Sequence, residues 1–313
     1  MRVEVLLYIL NIILNAAIVL LDILLIYIIL SGKDLRKNPV IMLVFMAMLL
    51  DVCVFLNTIA HDVPSYILQK DITTTLTTEA ATVLLSVQWF FQLFLLPVLS
   101  VIHLLAVFAP LNFRRISRKD TLVCIIVILL ISASMTAPLF TSCCGYAYFI
   151  PGHYWHFDFA KPYTYIYNDV NIVLQVTCVG IMLVIDILIV YKVYKLQSAH
   201  SQVVNASIAT IGHSTTTRKK SLKLSPETRL ALSFVALTVC FLTSTLCFNL
   251  IKTNGFWQDA AMKVSANLNL IKWALYSLGN SGVRNRLWCV FRAWKPSGST
   301  QHSLFTKTQL SLL

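Results

Sequence analysis

Seven long apolar runs punctuate the chain, near Val5–Leu30, Val40–Ala60, Glu79–Phe108, Thr121–Phe140, Asp169–Tyr191, Leu230–Ile251 and Ala261–Gly279. A helix needs about 20 mostly apolar residues to cross roughly 30 Å of hydrocarbon, and each run is long enough or nearly so. The polar positions between the runs are sorted by sign. Nineteen of the 25 Lys and Arg fall on alternate connections: Lys33–Lys37, Arg114–Lys119, Lys192–Arg229 and the segment beyond Gly279. The other side holds Arg2, Lys70, Lys161, Lys252 and Lys263, while Lys272 lies within the last run. Basic segments stay in the cytoplasm. The pattern therefore predicts an all-α membrane protein, a seven-transmembrane helix bundle with its N-terminus outside and its C-terminus in the cytoplasm.

Composition agrees, with 58% hydrophobic and 12% charged residues in 313 positions. The net charge of +12 does not indicate nucleic acid, because the cations are sorted by membrane side and form no continuous stripe. They suit anionic cytoplasmic lipid instead. The first run is too long for the core of a signal peptide and is expected to be a retained span. The eight cysteines, Cys53, Cys124, Cys143, Cys144, Cys178, Cys240, Cys247 and Cys289, show no metal-ligand spacing. No metal or cofactor is expected. The one glycosylation sequon, Asn205-Ala206-Ser207, falls on the cytoplasmic side and should be unused.

Three connections carry further signals. The segment 141–168 holds Tyr146, Tyr148, Phe149, Tyr154, Trp155, Phe157 and Phe159, which fit either a lid or an ordinary interfacial aromatic belt. The loop Lys192–Arg229 is poor in apolar residues between Ser198 and Ser221 and is expected to be largely flexible; Arg218-Lys219-Lys220-Ser221 within it would suit a basophilic kinase. After the last span, Leu287, Phe291 and Trp294 recur at helical spacing between basic residues, which predicts a helix in the interface plane. Cys289 there suits either a palmitoyl group or a plain buried thiol. The expected organisation is a helix domain over 1–282, an amphipathic helix over 283–295 and a disordered tail over 296–313.

Two segments carry a family resemblance. Ser100-Val101-Ile102-His103-Leu104-Leu105-Ala106-Val107, followed by Pro110-Leu111, is similar to the end of the third helix of rhodopsin-like G-protein-coupled receptors, with Ile102-His103-Leu104 in place of an Asp-Arg-Tyr triplet. Tyr276-Ser277-Leu278-Gly279-Asn280 resembles that family's run from the seventh helix into the short helix; Lys272-Trp273-Ala274-Leu275-Tyr276 keeps only the Tyr of Asn-Pro-x-x-Tyr. The sixth run lacks Cys-Trp-x-Pro. No Cys lies between His61 and Ser86, so the usual extracellular disulfide cannot form. Trp155-His156-Phe157, Tyr167-Asn168-Asp169 and Ile185-Asp186-Ile187 look like the pattern of nematode serpentine chemoreceptors of class X (Srx).

The resemblance implies a chemosensory receptor without catalysis, partnered by the bilayer, a small odorant-like or pheromone-like ligand and a heterotrimeric G protein. The family's ligand-contacting turn falls at Leu85, Ser86, Trp89 and Phe90, with Gln175, Cys178, Cys247 and Asn249 as weaker candidates. Leu85 stands where amine receptors carry an aspartate, so an apolar, aromatic wall with few polar handles is expected, suited to a small apolar organic molecule. Asp22, Asp51 and Lys272 fall at positions that meet in the family's cytoplasmic half, and Gln92 at the polar position beside the sodium-binding carboxylate. The Lys272 ammonium would replace that sodium ion, pairing with Asp51 and with Asp22; the alternative is a hydrogen-bonded, protonated carboxylate with Lys272 snorkelling. An opsin's retinal-binding lysine would fall near Ala266, so retinal is not expected. His103, Pro110, Leu111 and Tyr276 occupy G-protein-coupling positions. His103 is either a partial substitute for the family's arginine or a plain interfacial histidine.

The competing class is a multi-pass transporter of a small solute built from two three-helix repeats. The first three and last three runs show no similarity, and no pair of Gly/Pro-broken spans sits at matched positions. An intramembrane metallohydrolase would need several ligands at one depth, yet all histidines but His103 lie outside the expected spans.

Overall fold

The computed structural model describes residues 3–72, 74–150, 152–210, 226–250 and 255–294. Ten α-helices and one hairpin occur among them: α1 Val3–Ser31, α2 Pro39–Asn57, α3 Val63–Leu68, α4 Thr75–Phe108, α5 Pro110–Arg115, α6 Arg118–Thr136, β1 Tyr146–Phe149, β2 Tyr154–Phe157, α7 Thr164–Thr210, α8 Pro226–Leu250, α9 Phe256–Gly279 and α10 Ser281–Trp294. Six of the helical segments are long and apolar enough to cross a membrane among the described residues. The seventh span, α9, is less apolar because Gln258, Asp259, Lys263, Asn267, Asn269 and Lys272 interrupt its 24 residues. Its polar positions are largely turned inward: Lys263, Ser265, Lys272 and Ser277 are buried.

The burial pattern is that of a bundle solvated by lipid. Large apolar side chains stay exposed on outer faces, among them Leu10, Ile13 and Leu20 on α1, Leu122, Val123 and Leu130 on α6, and Val173, Val184 and Ile187 on α7. Polar groups such as Asp51, Gln88, Gln92, Gln175 and Ser244 lie inside. In water such exposure would be costly; in hydrocarbon it is the expected arrangement. The spans close a ring, α1 against α2, α2 against α4, α4 against α7, α7 against α8, α8 against α9 and α9 back against α1, with α6 packed outside α4 and α2. Central α4 supplies Phe91, Leu93, Leu95, Leu96 and Leu99, all fully buried. At the α8–α9 seam, a Cβ on Gly279 would collide with the Ser233 side chain, so a small residue there lets the two helices approach closely.

Local chemistry fixes the helix starts. Asn38 Oδ1 accepts from the amides of Val40 and Ile41 at 3.0 and 3.3 Å, with Pro39 in the first turn of α2. Ser117 and Asp120 form a reciprocal capping box on α6. Gly255, at φ 92°, opens α9 from a backbone conformation that side-chain-bearing residues rarely adopt. A π-turn over Thr58–Asp62 joins α2 to α3, so the second span runs on to Leu68. The extra residue per turn turns Thr58 and Asp62 toward the bundle interior.

The structure adds detail to the expected helical bundle in three places. First, segment 141–168 contains a short antiparallel hairpin pairing Tyr146 with Phe157 and Tyr148 with Trp155. The aromatics there alternate with a period of two, the signature of a half-buried strand. Second, α7 runs unbroken to Thr210, so helix covers much of the stretch expected to be flexible; Arg218–Ser221 lies outside the described residues, as does the tail 296–313. Third, α10 begins at Ser281, capped by Asn280 Oδ1, which accepts from the amides of Gly282 and Val283. It packs on α1 and α9 through buried Val283 and Leu287, leaving Trp288, Cys289 and Phe291 exposed. A helix with that division of faces suits a membrane surface.

A candidate ligand cavity over a buried polar chain

A cavity of about 220 Å³ opens between α1, α2, α4, α7, α8 and α9, beneath the hairpin. Leu85, Ser86, Trp89 and Phe90 of α4 line it. Their spacing places them on one side of α4, about one turn from the helix centre toward its N-terminus. Trp89 Nε1 donates to Asn171 Oδ1 at 3.0 Å, tying α4 to α7. Its ring lies 6.2 Å from that of Phe248, another lining residue.

The other four expected contacts, Gln175, Cys178, Cys247 and Asn249, are not among the lining residues. Asn249 Nδ2 instead donates to Gln175 Oε1 at 2.9 Å and to the carbonyl of Thr245 at 2.9 Å, clasping α8 to α7. Replacing both Gln175 and Asn249 by leucine in a double-mutant cycle is expected to give a coupling of about 0.6 kcal/mol, the usual size for a hydrogen bond between membrane helices. Unfolding of the purified chain in detergent measures it, and strict additivity would show the contact to be inert.

The hairpin roofs the cavity through Tyr146, Tyr154, Trp155 and Phe157. It is pinned at two points. Trp155 Nε1 donates to Asp62 Oδ1 at 2.9 Å, and Lys263 Nζ donates to the carbonyl of Gly152 at 3.1 Å. Burial raises the phenols of Tyr146 and Tyr148 above the ordinary tyrosine range, keeping both as hydroxyl donors. All eight cysteines are free; the sulfurs of Cys143 and Cys144 stand 3.0 Å apart at the base of the hairpin.

The wall is more polar than the sequence suggests. Asn11, Asn15, Thr58, Asp62, Ser86, Gln88, His153, Asn171, Lys263, Ser265 and Asn269 all line it. Sequence reasoning took α4 as the main wall and named no ligand contact on α1 or α9. The available signal was periodicity: Tyr8, Asn11 and Asn15 on α1, and Ser265 and Asn269 on α9, are polar residues recurring at helical spacing, and all five line the cavity. Ala266, at the position where an opsin's lysine would fall, lines the cavity and offers no amine.

The cavity floor is a continuous polar chain. Asp51 Oδ1 accepts from Gln88 Nε2 at 2.6 Å and from Gln92 Nε2 at 2.5 Å. Lys272 Nζ donates to Gln92 Oε1 at 2.5 Å, to the carbonyl of Asn269 at 2.6 Å and to Asn269 Oδ1. Three acceptors fill the three N–H bonds of an ammonium. The expected direct pair of Lys272 with Asp51 is therefore replaced: Gln92 stands between them, its amide accepting from one and donating to the other. The spacing of α4 explains this, because Gln88 and Gln92 are one turn apart and both face α2. Asp22 is fully buried but neither of its oxygens has a hydrogen-bond partner, so it neighbours the chain without joining it. Gln88 and Asn269 belong to both structures, since each lines the cavity and each touches a member of the chain.

Below the floor, Trp273 is fully buried, with Lys272 Nζ 5.2 Å from its ring centroid. One turn further, His103 Nε2 and Tyr276 Oη lie 2.5 Å apart in a hydrogen bond that bolts α4 to α9. His103 is buried, in ring contact with Phe234 of α8, and not presented at the surface as an arginine substitute would be. Leu111, at the start of α5, is exposed. Asp186 is held apart from all of this, its Oδ2 accepting from Thr238 at 2.7 Å across the α7–α8 seam.

Residues 13–258 match the family model for serpentine-type seven-transmembrane chemoreceptors of the Srx class. The chain belongs to the Srx chemoreceptor family. The matched stretch ends near the start of α9, so Lys272 and Tyr276 lie beyond it. No curated protein matches the chain. Among solved structures, squid rhodopsin superposes with a TM-score of 0.70 at 15% identity, covering 96% of this chain and 90% of that one. At that identity the likeness establishes a shared fold only. This Srx chain is thus a multi-pass membrane protein of a receptor family on a rhodopsin-like bundle.

Proposed function

We propose that this Srx protein is a plasma-membrane chemosensory receptor, its N-terminus extracellular and its C-terminus cytoplasmic, that binds a small organic ligand beneath the hairpin and signals through a heterotrimeric G protein. The orientation is supported by the basic residues gathered on the connections at the α10 end of the bundle. The observation that carries the reading is the double role of Gln88 and Asn269. A ligand that accepts a hydrogen bond from Gln88 Nε2 competes with Asp51 for it, and one that donates to Asn269 Oδ1 competes with Lys272. Loss of that bond loosens the α2–α4–α9 contact directly above the His103–Tyr276 bolt. A ligand favouring the loosened arrangement shifts the population toward it, and the cytoplasmic ends of α4, α7 and α9 separate to admit a partner helix.

Calcium and cyclic-nucleotide readouts in cells expressing the full chain, screened against an odorant panel, test this. A response absent from untransfected cells is expected. Trp89→Ala should weaken it about tenfold or more, since it removes both a ring face and the hydrogen bond to Asn171. A surface-expressed chain that answers no ligand, or that carries solute flux in vesicles, would contradict the reading.

A further inference from the structure

The outer end of the cavity is built from Lys263, Tyr8 and His153, and each of the three keeps an unused hydrogen-bond donor. Lys263 is buried, yet its Nζ contacts only the carbonyl of Gly152, leaving two N–H bonds of an ammonium unused. Among the described residues, no carboxylate forms an ion pair with it. The Tyr8 hydroxyl is buried with no hydrogen-bond partner among the described residues. His153 Nδ1 lies 3.2 Å from Tyr148 Oη; with that hydroxyl donating, the imidazole proton resides on Nε2. Burial and the nearby Lys263 lower the basicity of His153, which holds the ring neutral. The rings of Tyr8 and His153 meet edge-on at 5.5 Å, and both residues line the cavity with Lys263.

The neighbouring acids do not answer these donors. Asp62 Oδ1 already accepts from Trp155 Nε1 and His61 Nδ1, each at 2.9 Å. Asp259 lies one turn before Lys263 on α9 without forming an ion pair with it, and Glu4 is exposed at the start of α1. Asp259 acts on Lys263 only from beyond ion-pair distance, and a buried cation without a directly bonded anion is costly unless something supplies the opposite charge. Elsewhere the wall carries the aromatic rings of Trp89 and Phe248 among polar side chains.

We infer that the ligand is a small organic acid, its carboxylate or equivalent anion held by Lys263, Tyr8 and His153 and its apolar body laid against Trp89 and Phe248. The inference deepens the receptor reading and rests on it. Charge-assisted hydrogen bonds in a partly dry site are the strong ones, so the anion should dominate selectivity.

The test uses the full chain in lipid nanodiscs and nine probes, measured by ligand-dependent shifts in unfolding temperature. The probes are octanoate, octanol and octylamine; phenylpropionate, phenylpropanol and phenylpropylamine; and indole-3-acetate, indole-3-ethanol and tryptamine. In at least one of the three sets the acid is expected to bind about tenfold or more tighter than the alcohol and the amine. Lys263→Met should erase that margin, Lys263→Arg should keep it, and Tyr8→Phe should reduce it. Should Lys263→Met fail to fold, the last two variants decide the matter. An alcohol as good as its acid in every set leaves the receptor reading standing and overturns the inference. So does an amine that binds best, or an acid margin that survives Lys263→Met. If none of the nine binds, the inference falls and the receptor reading is decided by the odorant screen alone.

Discussion

Asp51→Leu is expected to destabilise the receptor by about 3–5 kcal/mol, and Lys272→Met by clearly less. The order follows from the interposed Gln92. Removing Asp51 strands two amide donors, Gln88 Nε2 and Gln92 Nε2, together with the charge of Lys272. Removing Lys272 leaves Asp51 with both donors in place and also relieves the membrane of a cation that costs about 2.5–3.5 kcal/mol to insert. The double variant should lose less than the two single losses added. In a Gln92→Leu background that coupling should shrink, because the link between the two groups is gone. Thermal unfolding of the purified chain and the fraction reaching the cell surface give the numbers. Equal single losses, or a coupling unaffected by Gln92→Leu, would show that the two charges act directly on one another.

Tyr276→Phe is expected to raise basal signalling several-fold while leaving surface expression unchanged. The substitution keeps the ring packing but removes the hydroxyl that meets His103 Nε2. A buried imidazole left unsatisfied costs about 1–3 kcal/mol, and that cost falls only on the arrangement in which α4 and α9 are bolted. A change of about 1.4 kcal/mol multiplies the population of the released state tenfold. Ligand-free second-messenger levels, normalised to surface receptor, measure it. Unchanged basal levels would mean that the contact packs the bundle without gating it.

The bundle was legible because hydrophobic length and the sorting of Lys and Arg are properties of the chain alone. The α4 face of the cavity was legible too, since Leu85, Ser86, Trp89 and Phe90 follow from helical counting back from His103. What escaped sequence reading depends on distant partners. Gln92 and Lys272 were singled out, but their separation of 180 positions hides that an amide stands between the cation and Asp51. Gln175 and Asn249 face the interior as expected, yet they find each other before they reach the cavity. The hairpin was hidden by an aromatic cluster that reads equally as interfacial belt until its alternation is noticed. Lys263 was counted among the extracellular cations, because nothing in composition distinguishes a solvated lysine from one folded beneath a turn at Gly152.

The central claim is that occupancy of the space beneath the hairpin drives the receptor, and filling that space from within tests it most directly. Ser86→Phe places a ring in the cavity from a buried position that makes no other structural contact by hydrogen bond among the described residues. In cells with matched surface expression, an activating ligand found by the odorant screen should lose its response in this variant, while ligand-free signalling in the added presence of Tyr276→Phe persists. A ligand response of full size and unchanged sensitivity in Ser86→Phe would contradict the account.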